Sequence, residues 1–266
     1  MTVLDLTPRP VPPPPGARDA VRDTLALVGR SLRRSTRQLD TLLLAVLLPV
    51  VLLLMFVYVF GGAISTGIAY VDFVVPAIVL LTAGYGAATT AVDVASDMTN
   101  GIVDRFRSMP VPAGAVLTGH VVASLARNAV STALVVAVAL LVGFDPAASA
   151  GDWAAALGVL VVYVLALTWV AVAIGLVASG PEAASGFTFV ILFLPYLSSA
   201  FVPVATMPGV LATVAGLNPV TPTADALRAL LLGAPVGSAV AVAVAWWLAL
   251  LVVARVGAGL LFRRRR

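Results

Sequence analysis

At 266 residues, with 61% hydrophobic and 11% charged side chains and a mean hydropathy of +1.08, the chain carries more apolar surface than a soluble domain, roughly a quarter charged, could bury. The absence of cysteine excludes disulfide frameworks and thiolate metal sites. A pI near 10.1 invites a nucleic-acid reading, but the 16 basic residues are all arginines, most of them gathered at the two termini and in one loop. Positive charge there fixes membrane topology, and it lacks the aromatic interleaving of single-strand binding, so no nucleic-acid partner is expected.

Residues 1–17 contain the run Pro12-Pro13-Pro14-Pro15, which cannot form a helix and reads as a disordered, Pro-rich cytoplasmic tail. No short apolar core follows to mark a cleaved signal peptide, so the first apolar run is expected to be retained. Over residues 18–39, Val21, Leu25, Val28, Leu32 and Leu39 fall on one helical face, with Arg22, Arg30, Arg33, Arg34 and Arg37 on the other. This amphipathic helix either lies in the headgroup plane with its arginines near anionic lipid, or is a solvated flank that sets orientation.

Six apolar segments follow, near 41–60, 73–92, 121–144, 153–178, 183–202 and 238–262, each about the ~20 residues that cross a ~30 Å hydrocarbon core. The expected fold is an all-α integral membrane protein with six transmembrane helices, residues 40–266 forming the membrane domain. The loops 61–72 and 145–152 carry no basic residue, loop 93–119 holds Arg105 and Arg107, and the chain ends in Arg263-Arg264-Arg265-Arg266. That alternation places both termini in the cytoplasm. Between the last two spans, 203–235 is broken by Pro203, Pro208, Pro219 and Pro222. It reads either as two short helices re-entering the outer leaflet against protein, or as an external loop with a surface helix. Thr221 is the expected N-cap of the second helix and Pro222 its first residue. No internal repeat is visible, which weighs against an inverted-repeat transporter.

Catalytic chemistry has little to draw on. The chain has one histidine, His120, and no lysine to complete a phosphate loop, and no acid, base, nucleophile and metal set converges. No catalytic, cofactor-binding or metal site is expected in the chain itself. His120 reads as an ordinary interfacial residue, and Arg127 and Arg255 as side chains snorkelling to the cytoplasmic face. With no ionisable group near the centre of a span, no handle on an ion gradient is evident, and a transporter of this kind takes its driving force from another subunit. The loop 93–110 is the informative soluble piece: Ile102, Val103, Phe106 and Met109 make a helix-spaced apolar face bordered by Asp104, Arg105 and Arg107, ended by Pro110 and Pro112. Such a segment either docks on an energising protein or simply joins two spans.

The order of these features resembles the type-2 ABC exporter permeases, most closely their daunorubicin-resistance branch. The resemblance rests on the basic helix leading into Leu48-Pro49, the core Asp104-Arg105-Phe106-Arg107-Ser108-Met109-Pro110, Leu117-Thr118-Gly119-His120 into Arg127-Asn128, Gly143-Phe144, and Leu217-Asn218-Pro219-Val220-Thr221-Pro222 followed by Ala226-Leu227-Arg228 and Gly233. It covers nearly the whole chain after Arg18. It implies a connecting helix over 18–39 and a coupling helix over 97–110 that docks on a separate nucleotide-binding ATPase subunit, with Asp97, Gly101, Asp104, Arg105, Phe106, Arg107, Met109 and Pro110 as coupling residues. It implies an external re-entrant hairpin bearing Asn218, Pro219, Pro222 and Arg228. It further implies a second permease copy or paralogue, a bacterial plasma membrane, and ATP with magnesium on the partner subunit. The expected function is export of hydrophobic or amphiphilic molecules, with export of a lipid-linked glycan or a non-transporting membrane scaffold as alternatives. His120 departs from the arginine or lysine common in relatives, so no family role carries over to it.

Overall fold

A computed structural model of the chain describes residue 29 and residues 39–64, 66–101 and 113–264. The expected tail, the amphipathic helix with Arg22, Arg30, Arg33, Arg34 and Arg37, and the coupling residues Asp104, Arg105, Phe106, Arg107, Met109 and Pro110 lie outside the described residues.

Among the described residues all regular structure is helical: α1 Leu39–Met55, α2 Tyr70–Thr99, α3 Ala113–Val142, α4 Ala150–Val177, α5 Pro181–Phe193, α6 Gly209–Leu217, α7 Val220–Leu231 and α8 Ala239–Arg264. A π-helical turn, Phe56–Phe60, continues α1, and short 3₁₀ turns at Pro195–Leu197 and Val204–Thr206 connect α5 to α6. Among the described residues four helices are long and apolar enough to cross a membrane: α2, α3, α4 and α8; the apolar stretches 46–60 and 181–197 are shorter. Exposed Val252, Val253, Val256 and Leu260 on α8 make sense only against an apolar solvent.

The central element is α2, whose most apolar window is 83% buried against 17% for α8. It packs on α3, α4 and α5, and its small residues explain how. Ala91 and Ala95 meet Ala171, Ala178 and Ala184 in one cluster, and a Cβ placed on Gly175 would come within 2.6 Å of the Ala91 carbonyl oxygen. Close backbone approach of this kind replaces the hydrophobic effect as the adhesive between helices in lipid. Toward the opposite end of the bundle, Trp247 of α8 meets Tyr163 of α4 edge-on at 4.6 Å. The Trp247 indole N–H donates to Thr223 Oγ1 at 2.7 Å, and the Tyr163 hydroxyl donates to the Leu80 carbonyl at 3.3 Å. Each buried polar tip is thereby satisfied.

Helix ends differ from the expected ones where polar groups find partners. The loop expected over 93–119 contracts, because α2 runs to Thr99 and α3 starts at Ala113, each with 30 residues. Asp93 and Asp97, expected in that loop, lie in α2 and meet Arg127 and His120 of α3. Ser149 and Asp152 form a capping box that starts α4. At the other end of α3, Gly143 (φ +109°) lets the Gly143 and Phe144 N–H groups bond back to the Leu140 and Ala139 carbonyls, a Schellman stop sealed by buried Phe144. The fifth apolar segment, expected over 183–202, is helical only to Phe193, because Pro195 diverts the chain into a 3₁₀ turn.

Candidate functional site

Two polar clusters stand out in an otherwise apolar bundle. The first lies between α2 and α3 near the ends that flank residues 102–112. On α2, Gly86, Thr89, Thr90, Asp93 and Asp97 share one face by their spacing, and on α3 so do His120, Ser124, Arg127, Asn128 and Ser131. The two stripes meet. His120 Nε2 lies 3.2 Å from Asp97 Oδ2, and Arg127 Nη1 lies 3.4 Å from Asp93 Oδ2. Arg127 Nη2 also donates to Thr89 Oγ1 at 3.3 Å and Thr90 Oγ1 at 3.2 Å. Deeper in, the Ser124 hydroxyl sits 3.2 Å from Thr168 Oγ1 of α4 and donates to the Gly86 carbonyl at 3.4 Å.

This arrangement revises three expectations. Asp97, expected on a docking surface, is fully buried in the last turns of α2. His120 is 7% exposed and paired rather than interfacial and alone. Arg127 turns its guanidinium into the bundle instead of snorkelling, because Asp93 and two threonine hydroxyls offer it a desolvated but bonded seat. Gly101 follows α2 with φ +67°, closing it just before the undescribed stretch. Arg255 is exposed, with its guanidinium carbon 5.7 Å from the Trp169 ring centroid.

The second cluster fastens α6 and α7 to the bundle at the opposite end. Asn218 Nδ2 donates to the Leu194 and Leu197 carbonyls, both at 2.8 Å, and its Oδ1 accepts the Val220 N–H at 2.9 Å. Asn218 thus does the capping expected of Thr221, and Pro219, already in helical geometry, takes the place expected of Pro222, which falls inside the first turn. Thr221 instead accepts the Ser199 N–H at 3.1 Å and donates to the Ala215 carbonyl. Arg228 is the hub. It donates to the Phe73 carbonyl through Nε and Nη2 at 3.3 Å, to the Ser199 and Ala200 carbonyls at 3.2 and 3.3 Å, and to Asp225 Oδ1 at 2.9 Å. Its guanidinium carbon lies 3.8 Å over the Phe73 ring.

One lysine ammonium cannot reproduce that fork. Arg228→Lys should therefore lower stability by about 1–2 kcal/mol, read from the thermal unfolding of the detergent-solubilised chain. An unchanged unfolding curve would remove Arg228 from the hub.

Asn218, Pro219, Pro222 and Arg228 are thus brought together in one cluster, whereas of the expected coupling residues the structure places only Asp97 and Gly101. Among the described residues no group of histidines and carboxylates could hold a metal ion.

A family model described as "ABC-2 type transporter" matches residues 22–232. The "Daunorubicin resistance ABC transporter permease protein DrrB1" of Streptomyces coeruleorubidus is 32% identical over 221 residues, covering 82% of this chain and 78% of that protein. The "Probable doxorubicin resistance ABC transporter permease protein DrrC" of Mycobacterium tuberculosis (strain ATCC 25618 / H37Rv) is 24% identical over 256 residues, 94% and 93% of the two chains.

Proposed function

The chain belongs to the ABC-2 type transporter family and is a multi-pass membrane permease of an ABC exporter, and from that premise we propose how it works. It carries hydrophobic or amphiphilic molecules, drugs or lipids, out of a bacterial cell across the plasma membrane. Six spans cross the bilayer with both termini in the cytoplasm, the fifth completed by the 3₁₀ turn after α5, and α6 and α7 re-enter the outer leaflet. Residues 18–39 lie along the cytoplasmic headgroups. ATP and magnesium are bound by a separate ATPase subunit, and a second permease, identical or related, completes the path.

The observation that carries this reading is the clamped pair α2 and α3. Each is 30 residues long, about 45 Å against the ~30 Å core, and the polar contacts Asp97–His120 and Asp93–Arg127 tie them together at the base of residues 102–112. A push on that segment would then move two spans as one body. In this scheme Phe106 and Met109 enter a cleft of the ATPase while Asp104, Arg105 and Arg107 orient the docking, with Pro110 ending the segment. Asp97 and Gly101 shape its base.

The test is co-purification of the ATPase with the full chain, together with ATP-dependent uptake into inverted vesicles, which corresponds to export from the cell. Phe106→Ala and Arg105→Ala should each lower ATP-dependent export at least severalfold while the amount of chain in the membrane stays constant. Unchanged export with unchanged ATPase association would reject the docking role.

A further inference from the structure

The exposed side of α8 carries one charge well inside the helix. Arg255 is exposed among the equally exposed Val252, Val253 and Val256, about 13 Å along the axis from Arg264, where α8 stops. A helix of 26 residues is about 39 Å long, so when centred it overhangs a ~30 Å hydrocarbon core by only about 4–5 Å at each end. Arg255 is thus rooted about 8 Å inside the core boundary. Cα–Cβ bonds tilt toward the N terminus of a helix, which here leads away from the nearer membrane surface.

The neighbouring helix fixes where this charge sits. Ala258 and Phe262 share a core cluster with Val172 and Leu176 of α4. Arg255 and Trp169, each one turn earlier in helices that pack together, come level, and the guanidinium carbon lies 5.7 Å from the indole centroid. A cation–π contact at that distance orients the group but supplies no anion. Helix α8 contains no acidic residue and α4 only Asp152, in its first turn at the far end. Among the described residues no carboxylate pairs with Arg255, and the Trp169 indole N–H makes no hydrogen bond. Cations within spans ordinarily face the bundle interior or an acid, because an unpaired charge in hydrocarbon is expensive. A lipid phosphodiester drawn slightly inward answers both groups: it accepts two N–H bonds from the guanidinium fork, and a remaining oxygen accepts from the indole N–H. Arg263 and Arg264 are exposed in the last turn and Arg265 and Arg266 follow them in sequence. That charge concentrates anionic lipids around the helix end, and an anionic headgroup has no ammonium of its own to compete with Arg255 for the phosphate.

We propose that the seam between α4 and α8 binds an anionic glycerophospholipid, its phosphate held by the Arg255 guanidinium and the Trp169 indole N–H and its acyl chains lying along exposed Leu248 and Val252 toward the bilayer centre. The lipid belongs to the cytoplasmic leaflet in the orientation proposed above. Binding itself needs neither that orientation nor nucleotide nor ATPase, so failure here leaves the docking test standing, and failure there leaves this one readable.

The experiment places the full chain in phosphatidylcholine nanodiscs and adds, in steps, either phosphatidylglycerol or phosphatidylcholine brominated on its acyl chains. Bromine quenches tryptophan on contact, and the quenching assigned to Trp169 is the part lost in Trp169→Phe. Measurements are made in about 0.5 M NaCl, where the Debye length is only a few ångströms, so attraction to the exposed terminal arginines is largely screened while a desolvated ion pair persists. Brominated phosphatidylglycerol should half-quench Trp169 at a mole fraction about fivefold below that of brominated phosphatidylcholine. Arg255→Gln should erase that difference. Arg255→Lys, which keeps the charge and loses the fork, should retain part of it, and the double replacement Arg263→Gln with Arg264→Gln should leave it in place.

Equal half-quenching by the two lipids would show that water alone solvates Arg255 and overturn the proposal. A preference that survives in Arg255→Gln would belong to the terminal arginines and overturn it equally. So would Trp169 shielded from both lipids until the discs are diluted to one chain each, which would put a second copy on the seam.

Discussion

Arg127→Leu should destabilise the chain by about 3 kcal/mol, because it removes the guanidinium that faces the Asp93 carboxylate across a largely buried helix interface. The two side chains are 13% and 20% exposed and lie 3.4 Å apart, with Thr89 and Thr90 also accepting from the guanidinium. Asp93→Leu should cost a similar amount for the mirror reason. The double replacement should cost much less than the sum of the two, since it removes both charges together and leaves an apolar interface of comparable volume. Unfolding in mixed dodecylmaltoside and dodecyl sulfate micelles, followed by tryptophan emission, gives all four corners of the cycle. Strictly additive losses would mean that the pair does not act as a unit.

Gly175→Leu should be comparably damaging and Gly175→Ala milder, near 2 kcal/mol. The added Cβ would lie 2.6 Å from the Ala91 carbonyl oxygen and 2.8 Å from Val94 Cβ. The first of these is backbone and cannot rotate away, so α4 must retreat from α2 and the neighbouring alanine contacts open. Gly158→Ala on the same helix is the control. Nothing lies within 4 Å of its would-be Cβ, so the gain in helix propensity should make it neutral or stabilising by up to about 1 kcal/mol. If both alanine variants unfolded alike, the close approach of α2 and α4 would be wrong.

Much of the bundle was legible in the sequence because lipid imposes a length rule: an apolar run long enough to span is conspicuous, and α2, α3, α4 and α8 follow from it. Their ends were not, for a reason visible at Asp93, Asp97, His120 and Arg127. Read singly, each charge signals the end of a span; read as pairs, they allow the helix to continue. The spacing that could have revealed the pairing was present: polar residues recur at helical intervals from Gly86 to Asp97 and again from His120 to Ser131. What one stripe alone cannot say is which other stripe it faces. The second cluster shows the same limit. Asn218, Pro219, Pro222 and Arg228 were singled out, yet the cap was placed on Thr221 because the Leu194 and Leu197 carbonyls that engage Asn218 come from a distant turn. The tight seat of Gly175 was equally invisible, since a glycine within a helix is indistinguishable from filler until its neighbour is known.

The clamp between α2 and α3 sets a scale for mechanical transmission. A rod of 30 residues about 45 Å long that pivots near one end by about 10° sweeps its far tip through roughly 8 Å. Because Arg228 grips the Phe73 carbonyl close to that tip, the swing would be handed directly to α7, turning a small displacement on one side of the membrane into a gate-sized opening on the other.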